Sequence, residues 1–141
     1  MRFVLDASVA LRWVLADEAG EASDAVLERV LSVPEQFAVP ELFPYEVLAV
    51  LLRVHPQPDH AYSSVVVPIL QNGLLRYPMT PGIAGRAFRF AALGLTGYDA
   101  CYAALAEELR GTWLTFDGRA HRRLAAESLS VDLGSGRPVG W

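Results

Sequence analysis

The sequence predicts an α/β fold in which helices cover both faces of a central parallel sheet of about five strands, giving three layers. Short apolar runs alternate with stretches of helical periodicity along the 141 residues, as expected for strands joined by right-handed helical crossovers. Two of these runs end on an aspartate, Asp6 and Asp117. Parallel strands place their carboxyl ends along one edge of the sheet, where open α/β folds bind ligands. We expect one domain spanning residues 1–141.

The strands are predicted from short apolar runs bounded by turn residues. They are residues 3–6, 37–40, 74–79, 112–116 and 129–133. The run at residues 3–6 is nearly continuous in its hydrophobicity, which is typical of a strand buried on both faces. If the first and fourth strands are neighbours, Asp6 and Asp117 lie side by side.

The helices are predicted from apolar residues at helical spacing and from start and stop signals. They are residues 9–15, 23–31, 41–52, 61–70, 81–95, 100–109 and 118–128. Pro34 and Gly111 end the second and sixth helices, and Pro68 is expected to kink the fourth. Residues 55–60 contain two prolines and are predicted to form a loop, and residues 55–80 as a whole have the least regular pattern. A tail rich in Gly and Pro follows from residue 134.

The third helix is apolar on nearly every side, so we expect it to be largely buried. Glu46 is the only carboxylate between residues 42 and 52. A buried acid requires a partner, either an arginine such as Arg53 or a metal ion.

Composition excludes several classes of protein. The net charge is −4, which does not suit a binder that attracts nucleic acid by overall positive charge. All 12 basic residues are arginines, so mechanisms that require a lysine are excluded. The single cysteine, Cys101, rules out an internal disulfide and a cysteine-rich metal site, and His55 and His60 lack the helical spacing of a zinc pair.

The chain contains no apolar stretch long enough for a membrane span, and Asp6 interrupts the N-terminal run too early for a signal peptide. We therefore expect a cytoplasmic protein without a membrane partner. About 57% of the residues are apolar, counting Gly and omitting Tyr, against an average of 45–50%. This excess predicts that a partner covers part of the surface.

Four carboxylates, those of Asp6, Glu46, Asp99 and Asp117, fall near the same edge of the predicted sheet. Each has a simple structural explanation: Asp6 and Asp117 as turn or cap residues, Asp99 in a capping box with Thr96, and Glu46 in an ion pair. Together, however, clustered carboxylates repel one another unless a cation compensates their charge. Oxygen ligands without Cys or paired His favour Mg²⁺ or Mn²⁺, and a common use of such a site is phosphodiester hydrolysis with water activated by the metal.

The chain resembles PIN-domain ribonucleases over essentially its whole length, and in particular the VapC-type toxins of bacterial toxin-antitoxin pairs. The matching segments are Phe3-Val4-Leu5-Asp6-Ala7-Ser8, Val39 to Val47 with Glu46, Thr96-Gly97-Tyr98-Asp99-Ala100 and Thr115-Phe116-Asp117. The pattern differs from the family at residues 55–60 and in the proline-interrupted segment that follows.

The resemblance implies that the four acids bind Mg²⁺ or Mn²⁺ and catalyse RNA cleavage, while Ser8 and Thr115 support them by hydrogen bonds. It also implies that RNA is the substrate and that a small antitoxin carrying an arginine is a partner. We expect a homodimer that can assemble further with the antitoxin, whose arginine would point toward Asp6.

Three arginines, Arg119, Arg122 and Arg123, follow Asp117 on one predicted helix and are candidates for binding RNA phosphate. They would equally suit a solvated helix face.

Two enzyme classes with similar folds are disfavoured by the sequence. A phosphate-accepting receiver domain needs a lysine and a second acid at the first strand, and a haloacid-dehalogenase-like phosphatase needs an acid at the position of Ser8. The remaining alternative is a catalytically inactive PIN-like module that binds RNA or protein.

Overall fold

A five-stranded parallel sheet forms the centre of the protein. The computed structural model describes all 141 residues. The strands are β1 (Phe3–Leu5), β2 (Phe37–Pro40), β3 (Leu75–Tyr77), β4 (Thr112–Thr115) and β5 (Ser130–Asp132). Their order in the sheet is β3-β2-β1-β4-β5, and every neighbouring pair is parallel. The predicted α/β class and strand number are therefore confirmed.

The central position of β1 brings its end next to the end of β4. Leu5 pairs with Leu114, and the backbone N–H of Asp6 donates to the Leu114 carbonyl at 3.1 Å. The chain builds the sheet outward from β1 to β2 and β3, then crosses back to add β4 and β5 on the other side. The strand order thus reverses between β1 and β4, which makes this edge the topological switch point.

Eight α-helices connect and flank the strands. They are α1 (Ala7–Val14), α2 (Glu21–Ser32), α3 (Leu42–Val54), α4 (Pro58–Ala61), α5 (Val67–Gln71), α6 (Pro81–Ala91), α7 (Gly97–Glu108) and α8 (Gly118–Arg123). Right-handed crossovers place α1 to α5 on one face of the sheet and α6 to α8 on the other. This is the predicted three-layer arrangement.

One hydrophobic core joins the layers. It contains 32 buried residues, including every residue of β1. Helix α7 lies across β1, β2 and β4, and its buried alanines allow the close approach. Tyr102 of α7 stacks on Trp113 of β4 with ring centroids 6.0 Å apart, so the largest buried side chains fix α7 against the sheet.

Capping residues set two helix starts earlier than the apolar periodicity indicates. Asp6 caps α1, which therefore begins at Ala7, and Thr96 caps α7, which begins at Gly97. The helix before α7, α6, ends at Ala91 and not at the predicted residue 95. Gly94 follows with φ of 100°, a conformation that is open mainly to glycine.

The predicted loop at residues 55–60 is wrong in its second half. Pro58 occupies the first turn of α4, where its fixed φ and missing N–H are tolerated. A π-helical segment, Tyr62–Val66, then joins α4 directly to α5. Pro68, which cannot donate a backbone hydrogen bond, lies in the first turn of α5. The π-helical segment thus comes just before this proline.

The expectation that α3 is largely buried is also wrong for this chain alone. Its buried residues, Phe43, Val47 and Leu51, form a single stripe. Tyr45 and Leu52 on the opposite side are 75% and 66% exposed. Hydrophobicity around the helix therefore reflects an inward core face and a separate apolar face that is open to solvent.

None of the helices combines the length and the apolar character that a membrane span requires.

Candidate active site

Asp6 lies at the end of β1 and is almost fully buried, with 6% of its surface exposed. All of its side-chain hydrogen bonds fall on one oxygen. Oδ2 accepts from the Ser8 backbone N–H at 3.1 Å, from the Ser8 hydroxyl, and from the Thr115 hydroxyl at 3.3 Å. No protein donor reaches Oδ1, so this oxygen remains free for a ligand from outside the chain.

The two hydroxyls that donate to Asp6 also connect it to the end of β4. Ser8 Oγ accepts the backbone N–H of Phe116 at 3.2 Å, and Thr115 Oγ1 accepts that of Asp117 at 3.0 Å. Each hydroxyl thus donates to the carboxylate and accepts from the backbone. This network fixes the rotamer of Asp6 and the path of the chain leading to Asp117.

Glu46 projects from the second turn of α3 toward α7. Its Oε1 accepts from the hydroxyl of Tyr102 at 3.1 Å, and no donor reaches Oε2. The ion pair with Arg53 considered above does not form. Because Tyr102 is fully buried and stacked on Trp113, its hydroxyl is a fixed point that orients the Glu46 carboxylate.

The other two acids begin helices at the same edge. Asp99 follows the Thr96 cap of α7, whose hydroxyl accepts the Asp99 backbone N–H at 3.2 Å. Asp117 caps α8 through its Oδ1, which accepts from Ala120 N–H at 3.0 Å. Asp99 is half-buried, whereas Asp117 is exposed. Asp6, Asp99 and Asp117 therefore take the cap or turn positions considered above and also lie at the same edge of the sheet.

Burial and mutual repulsion make three of these carboxylates weaker acids than usual. Burial raises the pKa of Asp6 to about 6, with a contribution from the charge of Asp99, although hydrogen bonds from Ser8 and Thr115 oppose the shift. Burial and the charges of Asp6 and Asp99 raise the pKa of Glu46 to about 7, against the hydrogen bond from Tyr102. The pKa of Asp99 is raised by burial and by Asp117. The acids are thus close enough to influence one another, and the cluster lacks a compensating positive charge.

The donor set fits a hard divalent cation. No three His, Cys, Asp or Glu side chains lie close enough together to hold one ion between them. Mg²⁺ does not need three, since it commonly takes one or two carboxylates and completes its shell with waters and substrate phosphate. Asp6 Oδ1 and Glu46 Oε2 are the free oxygens best suited to this role, because each belongs to a carboxylate whose other oxygen is already held by protein donors.

The three arginines of α8 do not form a common group facing the acids. Arg119, Arg122 and Arg123 are all exposed and none makes an ion pair. The Arg123 guanidinium packs over Gly94, where a side-chain Cβ would meet its Nη1 at 3.2 Å. Arg122 lies beside Gly118, near Asp132.

Two contacts at the site were not anticipated from the sequence. Tyr102 is three residues after Asp99, so its place on the same face of α7 was visible in the helical spacing. Arg12 of α1 lies over the ring of Phe116, 3.8 Å from its centroid, and donates to the Glu18 carbonyl at 3.0 Å. No local pattern indicated the Arg12 contact, because it joins residues that are distant in sequence.

A parallel sheet of this order with acids at its switch point defines an α/β protein, and its candidate site lies at the ends of β1 and β4. The family model of the PIN domain matches residues 3–127. The chain therefore belongs to the PIN-domain family. Comparison with curated protein sequences gives no match.

Three solved structures illustrate the similarity of fold. FitAcB from Neisseria gonorrhoeae is 14% identical, with 94% of this chain and 98% of that chain covered and a TM-score of 0.70. A toxin-antitoxin complex from Klebsiella pneumoniae is 17% identical over 92% and 96% of the two chains, with a TM-score of 0.64. VapC20 from Mycobacterium tuberculosis, described as a toxin that cleaves the sarcin-ricin loop, is 15% identical over 92% and 97%, with a TM-score of 0.65. At these identities the likeness concerns the fold.

Proposed function

We propose that this protein is a Mg²⁺- or Mn²⁺-dependent endoribonuclease that acts as the toxin of a toxin-antitoxin pair. The observation that carries the proposal is the free Oδ1 of Asp6. It belongs to a buried carboxylate whose other oxygen is fixed by three donors, at the edge where Glu46, Asp99 and Asp117 also lie. Membership of the PIN family and structural similarity to a toxin described as cleaving the sarcin-ricin loop support the choice of substrate.

The chain's own residues hold the site in shape before any ligand binds. Ser8 and Thr115 set the orientation of Asp6, and Tyr102 sets that of Glu46. Asp99 and Asp117 add negative charge at the helix starts on either side. A bound divalent cation would neutralise this charge, polarise the scissile phosphate and lower the pKa of the attacking water.

The proposal is tested by RNA cleavage with the purified chain and its Asp6→Asn variant. Wild-type protein should cleave RNA in Mg²⁺ or Mn²⁺ and stop when EDTA is added. The variant should be at least about tenfold slower, because it loses one anionic ligand while keeping the shape of the side chain. If Asp6→Asn cleaves as fast as wild type, the assignment of the site is wrong.

An inactive PIN-like module is the competing function. Titration calorimetry with Mn²⁺ separates the two, since a module that only binds RNA or protein has no need of tight metal binding. Binding of Mn²⁺ that weakens in Asp6→Asn favours the nuclease.

An antitoxin is the second proposed partner. The chain has a net charge of −4 and an uncompensated acidic cluster, and an arginine from a partner can pair with two carboxylates and occupy the cation site. One of the similar structures, from Klebsiella pneumoniae, is described as a toxin-antitoxin complex. Expression of this chain alone should arrest bacterial growth, and co-expression with a small protein encoded beside it should restore growth. The idea fails if that protein co-purifies but leaves the ribonuclease rate unchanged when Mg²⁺ is limiting.

A further inference from the structure

Arg12 lies one helical turn after Ser8 on α1, and both side chains contact the residue that follows β4. The step of four residues is about 6 Å along the helix axis and keeps the two side chains on the same side of the helix. Ser8 Oγ accepts the backbone N–H of Phe116 at 3.2 Å, and the Arg12 guanidinium covers the Phe116 ring, 3.8 Å from its centroid. Helix α1 therefore holds Phe116 at two points, its backbone and its ring.

The stack on Phe116 is the main contact of the Arg12 guanidinium. Nη1 donates to the Glu18 carbonyl at 3.0 Å, in the short 3₁₀ helix that follows α1. Arg12 makes no ion pair, and its Nε is buried without an acceptor. Because an unpaired buried donor costs stability, polar contacts alone do not explain an arginine at this position. A planar cation is favoured, however, over the face of an aromatic ring.

Asp117 is the exposed member of the acidic cluster. Its Oδ1 accepts the Ala120 N–H at 3.0 Å, and no protein donor reaches Oδ2. Asp6, in contrast, is buried, and Glu46 is oriented by a buried tyrosine hydroxyl. The direction of the Asp117 carboxylate therefore depends on the backbone that leads to it, and this backbone is the segment that α1 holds.

We propose that Arg12 is a positioning residue that acts through Phe116 on Asp117. The guanidinium holds the ring, the ring and the Ser8 hydroxyl hold the backbone of residue 116, and the Asp117 carboxylate is thereby kept at the acidic edge. The proposal rests on the proposed metal-dependent function and adds a residue to its site. Arg12 acts by contact, since it makes no ion pair with any acid of the cluster.

The test measures Mn²⁺ binding by titration calorimetry in the absence of RNA. Arg12→Met keeps an unbranched side chain that suits a helix but removes the planar cation. It should weaken Mn²⁺ binding about tenfold, because one carboxylate loses the contact that supports it. A role through charge predicts the opposite sign, since removal of a positive charge near the site would strengthen the binding of a divalent cation.

Coupling to Asp117 distinguishes positioning from a general loss of order. In an Asp117→Asn background, Arg12→Met should have no further effect on Mn²⁺ affinity, because both changes act through the same carboxylate. Phe116→Leu should weaken Mn²⁺ binding to the same extent as Arg12→Met. The two changes together should be no worse than either one alone.

Arg29→Met is the matched control. Arg29 of α2 also covers an aromatic ring, at 4.7 Å from the Trp141 centroid, and its Nε is also buried without an acceptor. Trp141 packs on Phe3 and Phe37, which begin β1 and β2, so this stack lies at the opposite edge of the sheet from the acids. Arg29→Met should leave Mn²⁺ affinity unchanged even where it lowers the melting temperature.

Amide hydrogen exchange in EDTA gives a second readout that does not need the metal. In Arg12→Met, the N–H groups of Phe116, Asp117 and Ala120 should exchange faster than in wild type, because the turn between β4 and α8 loses one of its supports. Exchange in β2 and α6 should not change.

The proposal is overturned if Arg12→Met binds Mn²⁺ as tightly as wild type or more tightly, or if it weakens binding equally in the wild-type and Asp117→Asn backgrounds. A loss of RNA affinity with unchanged Mn²⁺ affinity would also overturn it, since Arg12 would then contact the substrate itself. The two ideas fail separately. If the wild-type protein binds no Mn²⁺, the nuclease function fails, whereas unchanged amide exchange in Arg12→Met overturns the positioning role.

Discussion

At the scale of single residues, two acids of the candidate site each use one carboxylate oxygen within the fold and leave the other without a protein donor. Asp6 gives Oδ2 to Ser8 and Thr115, and Glu46 gives Oε1 to Tyr102. Burial nevertheless outweighs these hydrogen bonds, since the pKa of each carboxyl is raised. In the metal-free protein near neutral pH, these acids therefore destabilise the fold.

The first prediction is that Asp6→Asn stabilises the metal-free protein, and does so more as pH rises. Because the folded-state pKa of Asp6 is about 6, above its ordinary 3.8, the folded state binds more protons than the unfolded state between these values. Stability should fall as pH rises through this window. At pH 8 the variant should gain up to about 3 kcal/mol in unfolding free energy, with little gain below pH 4.

Chemical denaturation in EDTA at several pH values measures this effect. Asp17→Asn, at an exposed carboxylate outside the site, is the matched control for the chemical change. Equal stabilities of wild type and Asp6→Asn at pH 8 would contradict the pKa assignment.

The second prediction concerns Tyr102 as a positioning residue for Glu46. Tyr102→Phe removes one hydroxyl from a fully buried ring and should weaken Mn²⁺ binding about tenfold by calorimetry, because Glu46 loses the donor that orients it. Tyr62→Phe makes the same chemical change at a hydroxyl that donates to the Pro44 carbonyl, and should leave Mn²⁺ affinity intact. Unchanged affinity in Tyr102→Phe would remove Tyr102 from the site.

At the scale of elements, the side chains of α3 form three stripes around the helix, each with different surroundings. One stripe enters the core, a second carries Glu46 and Arg53, and a third exposes Leu48 and Leu52. An exposed apolar stripe is typical of an interface, and we assign it to the expected homodimer.

The third prediction is that Leu52→Gln disrupts this homodimer. Sedimentation velocity should show a dimer for wild type and a shift toward monomer for the variant, because a polar amide is then placed in an apolar contact. Phe88→Gln, on the exposed side of α6, should remain dimeric. A dimer that persists unchanged in Leu52→Gln would place the interface elsewhere.

The turn between α7 and β4 allows a fourth prediction at this scale. A Cβ on Gly111 would lie 2.5 Å from the Arg2 carbonyl oxygen, which accepts the Thr112 N–H at 3.0 Å. Gly111→Ala should therefore force β1 and β4 apart and cost about 1–3 kcal/mol of stability. Gly85→Ala, in open space within α6, should instead stabilise the protein by about 0.5–1 kcal/mol in the same denaturation assay. Gly111→Ala as stable as wild type would show that the turn adjusts freely.

At the scale of the whole molecule, the order of the strands forms the acidic edge. Strand order gathers residues that are up to 111 positions apart, from Asp6 to Asp117, because β1 and β4 are neighbours. A cation bound there would connect elements from both halves of the chain.

The fifth prediction is that Mg²⁺ or Mn²⁺ raises the melting temperature of the EDTA-treated protein. A ligand at a hundred times its Kd stabilises the native state by about 2.7 kcal/mol. The shift should be smaller in Asp6→Asn, which lacks one charged ligand. A melting temperature that does not respond to either ion would contradict the metal site.

Local pattern was sufficient to predict the strands and the acids that follow two of them. Residues 3–5 are an apolar run that Asp6 follows directly, and residues 112–115 combine Trp and Leu with two β-branched threonines shortly before Asp117. The parallel topology follows from the alternation with helices, so the common edge could also be inferred. The ligand roles of the acids stay predictions.

Tertiary structure decided the contacts that local pattern does not encode. The Tyr102–Glu46 hydrogen bond joins residues 56 positions apart, and the exposed side of α3 depends on which neighbours the helix packs against. Likewise, Arg123 lies over Gly94 because the turn after α6 leaves room there. Periodicity tells how a segment folds and which residues share a face, but only long-range packing determines what each face meets.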